Sequence, residues 1–324
     1  MLKRIAVLTS GGDAPGMNAA IRAVVRTGID MGVEVFGVRH GYSGLINGDI
    51  RQMGVREVGG VLQAGGTMLG SARCPEFKTV EGRNQALSNM AEHGIEGLVV
   101  IGGNGSQTGG HALWKMGFPT IGVASTIDND LIGSDMTIGV DTALNIALES
   151  IDRLKVTASS HKRAFLVEVM GRDCGYLALM SAIAGGAEAA LLPEIPVTAE
   201  FVANQLKESY ARGKTNGIIV VAEGSHLSTE ELLAYCNSRE ESLGFEIRAT
   251  TLGHVQRGGA PTAYDRILAS LLGSNAAEKL INGRQGVVVG RIANKVSETP
   301  YEEVIGRTKG ISPDLYALAE RLAR

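Results

Sequence analysis

Short apolar runs alternate with glycine-rich turns and amphipathic stretches along most of the chain. Ile5–Leu8 is the first such run and Thr9–Gly16 the turn after it. Met17–Met31 then reads as a helix with Ala20, Ile21, Val24 and Val25 on one face. Val35–Val38, Leu98–Ile101, Thr120–Val123, Ala164–Val169, Ala189–Leu192, Ile218–Val221 and the late run Val287–Val289 read as buried strands. Helices are expected at Glu81–His93, Ala143–Leu154, Leu177–Ala184, Glu200–Ala211, Glu230–Ser238 and Ile267–Leu280, with a terminal helix Pro313–Leu322 capped by Ser312. This alternation predicts an α/β fold whose mostly parallel sheets are covered by helices. Ligands of such sheets sit at the carboxyl ends of the strands, where the glycine-rich turns of this chain fall. No proline- or serine-rich linker interrupts the pattern, so two lobes would be closely packed.

At 324 residues the chain is long for one core and natural for two lobes. Its 44% hydrophobic and 20% charged residues are those of an ordinary globular protein. The 44 glycines follow no repeat, which suggests tight turns and close backbone approach to a ligand. A net charge of −3 gives no bulk attraction for nucleic acid or membrane, so an anionic substrate would need a local basic pocket. Cys74, Cys174 and Cys236 lack metal-ligand spacing and read as reduced thiols of a cytoplasmic protein. The apolar run before Gly11 is too short for a signal peptide, and no stretch approaches the roughly 20 residues of a membrane helix.

Four constellations carry candidate chemistry. Ser10-Gly11-Gly12-Asp13-Ala14-Pro15-Gly16-Met17-Asn18 joins a strand to a helix, where glycines admit a phosphate and the helix start offers N–H groups. It has neither Walker nor dinucleotide spacing, and a tight turn explains it equally well. Gly102-Gly103-Asn104-Gly105-Ser106 has more glycine than a turn requires and suits a nucleotide phosphate. In Ser125-Thr126-Ile127-Asp128-Asn129-Asp130, the two aspartates would point the same way in an extended segment and divide base and metal roles. In a loop they would merely shape a turn. The last is a set of arginines at loops and strand starts: Arg73, Arg163, Arg172, Arg248 and Arg257. Guanidinium grips phosphate bidentately, although a lone arginine is ordinarily a solvated charge. His254 has no metal partner at useful spacing and reads as a donor to phosphate.

In this order GGDAPGMNAAIR, GSAR, GG-x-GS, TIDND, EVMGR and LGHVQRGG resemble the bacterial-type ATP-dependent phosphofructokinases, from Lys3 to about Val289. The resemblance implies two Rossmann-like three-layer lobes with the active site in the cleft between them. The larger, ATP-binding lobe would hold residues 1–139 and 256–306, and the smaller, sugar-phosphate lobe residues 140–255 and 307–324. It implies Asp128 as general base toward the 1-hydroxyl of fructose 6-phosphate, and Asp130 beside Mg²⁺. Gly11, Arg73, Thr126 and Arg172 would hold the transferring phosphoryl. ATP would meet Gly11, Arg73, Cys74, Gly103, Asn104, Gly105 and Ser106. The sugar would meet Thr126, Asp128, Met170, Gly171, Arg172 and Glu223, and its 6-phosphate Arg163, Arg248, His254 and Arg257. Arg163 and Arg248 would reach in from a neighbouring subunit, implying a homotetramer. An ADP or phosphoenolpyruvate effector would use Arg22, Arg26, Lys155, Glu188, Arg212 and Lys214. Ordinary readings remain for two of these: Glu223 paired with a surface lysine, and Arg163 as a solvated charge.

The chain departs from the pattern in places. Asn104 stands where the family has a metal-side aspartate, so weaker Mg²⁺ binding is expected. Cys74 replaces a larger residue and is expected to be unreactive. Near Val55 and Gly60 the effector arginine and aspartate are missing, with Arg56 one residue away. Gly105 and Ser125 replace the acidic residue and lysine of pyrophosphate-using relatives, which favours ATP as donor. The alternatives are a catalytically weak regulatory relative, pyrophosphate as donor, and a kinase for another acceptor. The last would lack the MGR and GHVQRGG grips.

Overall fold

The computed structural model describes residues 1–239 and 243–323. They fall into two compact units, Met1–Thr142 with Arg257–Lys309, and Ala143–Gln256 with residues 310–324.

The first unit is built on a seven-stranded sheet of order β11-β10-β5-β4-β1-β2-β3. Its strands are β1 Arg4–Thr9, β2 Glu34–Val38, β3 Ile50–Met53, β4 Gly97–Gly102, β5 Thr120–Ala124, β10 Val287–Ile292 and β11 Lys295–Pro300. The five inner strands are parallel; β3 and β11 close the two edges antiparallel. Helices α1 Met17–Asp30, α2 Gly41–Asn47, α3 Val80–Glu92 and α4 Asn104–Lys115 alternate with the strands. Alternate side chains divide the sheet's two faces. Ala6, Leu8, Phe36, Val38, Leu98 and Val100 pack with residues of α2, α3 and α4. The opposite face takes α1 and the helix Ala263–Ile281: a side chain at Gly28 of α1 would strike Val35, and Leu280 lies against Gly97. The result is three layers, with β1, β4 and β5 each passing into a turn at its carboxyl end.

The second unit has a fully parallel four-stranded sheet of order β7-β8-β6-β9. Its strands are β6 Arg163–Val169, β7 Ala189–Leu191, β8 Gly217–Ala222 and β9 Glu246–Thr251. Ala164, Leu166, Ile219 and Val221 form a core with α7 Ala199–Ala211 and α8 Thr229–Asn237. Helix α6 Tyr176–Gly185 packs against β8 on the other side, touches α5 Val140–His161 where Gly185 meets Ile151, and carries the terminal helix Pro313–Leu322. The expected cap of that helix forms: the Ser312 hydroxyl accepts from the Leu315 N–H at 3.5 Å.

The apolar runs correspond to the observed inner strands within a residue or two at each end, except that β10 runs three residues beyond the expected Val287–Val289. Among the described residues α2, β3, α4, β11, the short helix Tyr301–Val304 and the 3₁₀ turns Pro75–Lys78 and Gly253–Arg257 are additional, and β9 is expected from the sequence only as a strand starting at Arg248. Helix α5 is longer at both ends than the expected Ala143–Leu154. Its last turns, around Val156 and Thr157, are exposed and carry no apolar stripe to predict them.

Candidate active site

The turn after β1 is held by its neighbours rather than by its own sequence. Asn18, buried in α1, donates to the carbonyls of Ala64 and Gly65 and accepts from the Met68 N–H. Thr9 donates to the Gly70 carbonyl, and the Ser71 hydroxyl to the Gly11 carbonyl at 2.5 Å. The GSAR segment is therefore pinned beside Gly11, with Arg73 exposed two residues beyond the last anchor. Gly11 is left-handed (φ 83°) and a side chain there would lie 3.1 Å from the Ser106 hydroxyl, so the first two glycine turns touch. Cys74 is half-buried with its sulfur 3.6 Å from Glu76, and burial pushes its thiol above the ordinary range. A raised thiol pKa favours the protonated, less nucleophilic form.

The second turn opens α4 with no side-chain cap at Gly103, so the helix start keeps free N–H groups. Ser106 is buried and its hydroxyl has no partner. Tyr42, also buried, donates to the Ser106 carbonyl at 2.5 Å and steadies this first turn from behind. A side chain at Gly103 would press on Thr126 at 3.2 Å, whereas one at Gly105 would meet nothing within 4 Å.

The third turn is not extended. Asn129 is left-handed (φ 54°), so Asp128 and Asp130 do not share one face as an extended chain would have them. Asn129 is fully buried; it donates to the Asp135 carbonyl and accepts from the Thr137 N–H, both at 3.2 Å. Thr137 donates to the Thr126 carbonyl at 2.6 Å, and the Lys309 N–H donates to the Asp130 carbonyl at 2.8 Å. Asp128 is buried, with the Arg257 guanidinium 4.0 Å from its carboxylate. Arg257 donates to the Asp13 carbonyl at 2.9 Å and lies over Gly12, where a side chain would come within 2.7 Å of it. The Asn104 amide donates to the Asp130 carboxylate at 2.8 Å.

The first unit thus gathers Gly11, Gly103, Asn104, Ser106, Thr126, Asp128, Asp130 and Arg257 at the carboxyl ends of three adjacent strands. A hard divalent cation fits this chemistry in a limited way. The described residues hold no cluster of three His, Cys, Asp or Glu that would bind a metal unaided. One carboxylate and one amide suit a cation that keeps waters and takes its other oxygens from a nucleotide's phosphates.

In the second unit Met170, Gly171 and Arg172 follow β6. The Glu223 carboxylate accepts from the N–H groups of Gly171 and Arg172, at 3.2 and 2.9 Å, so it pairs with backbone and not with a lysine. Arg172 is itself left-handed (φ 50°), an uncommon conformation for arginine that marks a shaped loop. The 3₁₀ turn Gly253–Arg257 follows β9 at the same end of the sheet, with His254 exposed.

Arg163 and Arg248 lie elsewhere. Arg163 opens β6, and Arg248 is the third residue of β9 rather than at its start. Both pair with Glu246, Arg163 at 2.6 Å, so Arg163 is not a solvated charge. The Arg163 hydrogen bond, with Arg248 adding, holds the Glu246 carboxyl below the usual carboxylate range. Arg163 is the first residue of seven-residue β6 and Met170 follows its last, roughly 23 Å away at about 3.3 Å per residue.

Of the expected effector residues, buried Glu188 accepts from Lys214 at 3.0 Å and from the Ile218 N–H at 2.5 Å. Lys155 lies close to Gly186, and Arg212 donates to Ser209 and the Ala323 carbonyl. Arg22 and Arg26 are one turn apart on α1.

Asn18, Ser71, Asn129, Thr137 and Gln256 carry the site's internal bonding yet were given no role by sequence reasoning. Four of them lie inside the motifs quoted above, and Thr137 lies outside. Their residue types read as turn formers or surface polar groups until burial is known. No helix among the described residues is long and apolar enough to cross a membrane.

Comparison with known proteins bears on the same residues. The phosphofructokinase family model matches residues 4–280. The ATP-dependent 6-phosphofructokinase of Thermotoga neapolitana is 52% identical over 99% of this chain and 100% of its own length, and that of Halalkalibacterium halodurans 50% identical over 99% and 100%. Among solved structures, Pichia pastoris phosphofructokinase in the T-state superposes with a TM-score of 0.90 at 38% identity, over 99% of this chain and 37% of the yeast one. The Saccharomyces cerevisiae phosphofructokinase gives 0.84 at 40% identity, over 93% of this chain and 45% of its own. With the motif turns at the strand ends and half the residues shared end to end, the chain belongs to the phosphofructokinase family.

Proposed function

We propose that the two sets of residues divide one phosphoryl transfer between them. The chain is an ATP-dependent 6-phosphofructokinase, a glycolytic kinase, working in the cytoplasm. It transfers the γ-phosphoryl of ATP to the 1-hydroxyl of fructose 6-phosphate, yielding fructose 1,6-bisphosphate and ADP. Asp128 removes the proton from the 1-hydroxyl as its oxygen attacks the γ-phosphorus in line. The Gly11 backbone, Arg73, Thr126 and Arg172 balance the charge on the transferring group. The nucleotide lies along Gly11, Cys74 and the Gly103–Ser106 turn, where the uncapped start of α4 suits its phosphates. Met170, Gly171 and Glu223 orient the sugar, and His254 and Arg257 take its 6-phosphate. The observation that carries this reading is the buried Asp128 carboxylate, beside a guanidinium and between two phosphate-accepting turns.

An ATP-dependent kinase works with a divalent cation, and Mg²⁺ is the one that fits here. When bound with ATP it neutralises phosphate charge. Asp130 would hold it, and Asn104 would act weakly through a water. Replacing Asn104 by Asp sets a second carboxylate against the first. The Mg²⁺ concentration for half-maximal rate is expected to fall several-fold in Asn104→Asp; an unchanged value in a Mg²⁺ titration at fixed ATP refutes this role.

Arg163 opens β6 and Arg248 is third in β9, beside Phe165, so neither lies at the strand ends that lead to Met170 and Arg172. Their service to the 6-phosphate therefore comes from a neighbouring subunit, in a homotetramer. A phosphate arriving there competes with Glu246 for both guanidinium groups. Arg22, Arg26, Lys155, Glu188, Arg212 and Lys214 are the corresponding set for an ADP or phosphoenolpyruvate effector.

Donor choice supplies the test. The open space at Gly105 admits a nucleotide's α-phosphate, and Ser125, fully buried, offers no cation in its place. Initial rates with ATP should exceed those with pyrophosphate at least tenfold, and a faster rate with pyrophosphate overturns the reading. Gly105→Asp adds a carboxylate in the first turn of α4, where it favours the helix but repels the nucleotide. Its half-saturating ATP should rise tenfold or more while its thermal midpoint stays level or increases.

A further inference from the structure

Gln256 is fully buried in the 3₁₀ turn Gly253–Arg257, between His254 and Arg257. Its Oε1 accepts from the Met170 N–H at 2.8 Å, and its Nε2 is buried with no partner. Met170 opens the loop in which Glu223 accepts from the next two N–H groups, those of Gly171 and Arg172. Two side chains therefore hold three successive backbone donors. They arrive from opposite sides, since β6 lies between β8, which leads to Glu223, and β9, which leads to Gln256. The loop needs such holding: Gly171 (φ 145°) and Arg172 (φ 50°) are in conformations that local sequence does not favour.

We infer that Gln256 is a positioning residue for acceptor binding, setting the Met170–Arg172 loop in register with the turn that carries His254. This rests on the reading of both segments as sugar-phosphate contacts. The two clasps differ in kind. Glu223 is exposed and meets the sugar, whereas Gln256 is sealed from solvent and hydrogen-bonds the loop's backbone at Met170. Gln256 is thus the hold that stays unchanged when substrate arrives. A residue selected for packing alone would be apolar here, because the amide leaves its Nε2 donor buried and unpaired, an arrangement with a free-energy cost.

The test compares wild type, Gln256→Met and Gln256→Glu in steady-state kinetics with ATP and fructose 6-phosphate, with thermal midpoints measured alongside. Methionine has similar length but no acceptor oxygen of comparable strength; glutamate keeps the acceptor, and when protonated is a near-isostere of the amide. Gln256→Met should raise half-saturating fructose 6-phosphate at least tenfold and leave half-saturating ATP within twofold. Gln256→Glu should approach wild-type saturation as pH is lowered toward about 6, since burial favours the neutral carboxyl, and Gln256→Met should not. The inference fails if Gln256→Met saturates like wild type, if both substrates shift alike, if glutamate rescues no better than methionine, or if both variants lose the fold. A wild-type protein that turns over no fructose 6-phosphate instead defeats the functional reading; calorimetric titration with fructose 6-phosphate then applies the same binding criterion to Gln256.

Discussion

Asp128→Asn should lower kcat by about a thousandfold or more, with half-saturating fructose 6-phosphate changed little. General-base catalysis contributes roughly 10² to 10⁴ in rate, and Asp128 is the one group assigned to take the hydroxyl proton. Asparagine keeps the volume and an oxygen toward Arg257, so the buried guanidinium 4.0 Å away is not left facing a cavity. The effect should therefore fall on the chemical step, with ATP and sugar still binding. Asp128→Ala opens a cavity as well and should also lower the thermal midpoint. Comparing the two separates lost chemistry from lost packing. A kcat for Asp128→Asn within tenfold of wild type would remove Asp128 from the reaction.

Asn129→Ala should cost both stability and rate, although Asn129 itself touches no substrate in the proposed scheme. Its two side-chain hydrogen bonds bridge the turn to Asp135 and Thr137. Its backbone is left-handed, which asparagine tolerates and alanine resists. Losing two buried hydrogen bonds and adopting that conformation with alanine together cost about 2–4 kcal/mol. For a unit of this size that is a fall of roughly 5–15 °C in the midpoint of its transition. The turn also fixes Asp128 on one side and Asp130 on the other, and a displacement of about 1 Å at reacting groups can lose 10² in rate. Asn129→Gly relieves the backbone but restores no hydrogen bond, so its midpoint should fall between alanine and wild type. Differential scanning calorimetry with parallel rates decides it; an alanine variant with wild-type midpoint and kcat contradicts the role.

The parallel core of the fold was readable because its strands are continuous apolar runs, buried on both faces. Leu98–Ile101 is such a run, as is Ile218–Val221. The edges were not. Residues 295–300, KVSETP, form a partly exposed antiparallel strand whose pairing comes from β10 and not from an apolar pattern. Helix α4 was hidden by its glycines, which would ordinarily weaken a helix. The structure gives the reason for two of them. A side chain at Gly109 would strike Tyr42, and one at Gly110 would strike Tyr301, so bare backbone is needed where two aromatic rings pack.

The site was legible to the extent that its chemistry is written in motifs. Asp128, Arg172 and the glycine turns are recognisable as types of residue at strand ends. The supporting bonds were not legible, because burial of a polar side chain leaves no mark on periodicity. Asn18, Asn129 and Gln256 sit inside motifs, yet only the fold shows that each holds a neighbouring segment by its backbone. Nor does sequence say that Arg163 begins the strand whose far end leads into Arg172; that follows from counting residues along β6 once its limits are known.

Where the phosphoryl group lands is the most direct measurement of the central claim. Purified protein incubated with ATP, Mg²⁺ and fructose 6-phosphate can be followed by ³¹P NMR. The account predicts that the γ-phosphoryl resonance is replaced by a sugar 1-phosphate signal in equal amount, with the 6-phosphate retained and ADP formed. ADP accompanied by inorganic phosphate, with the sugar phosphate unaltered, would contradict it.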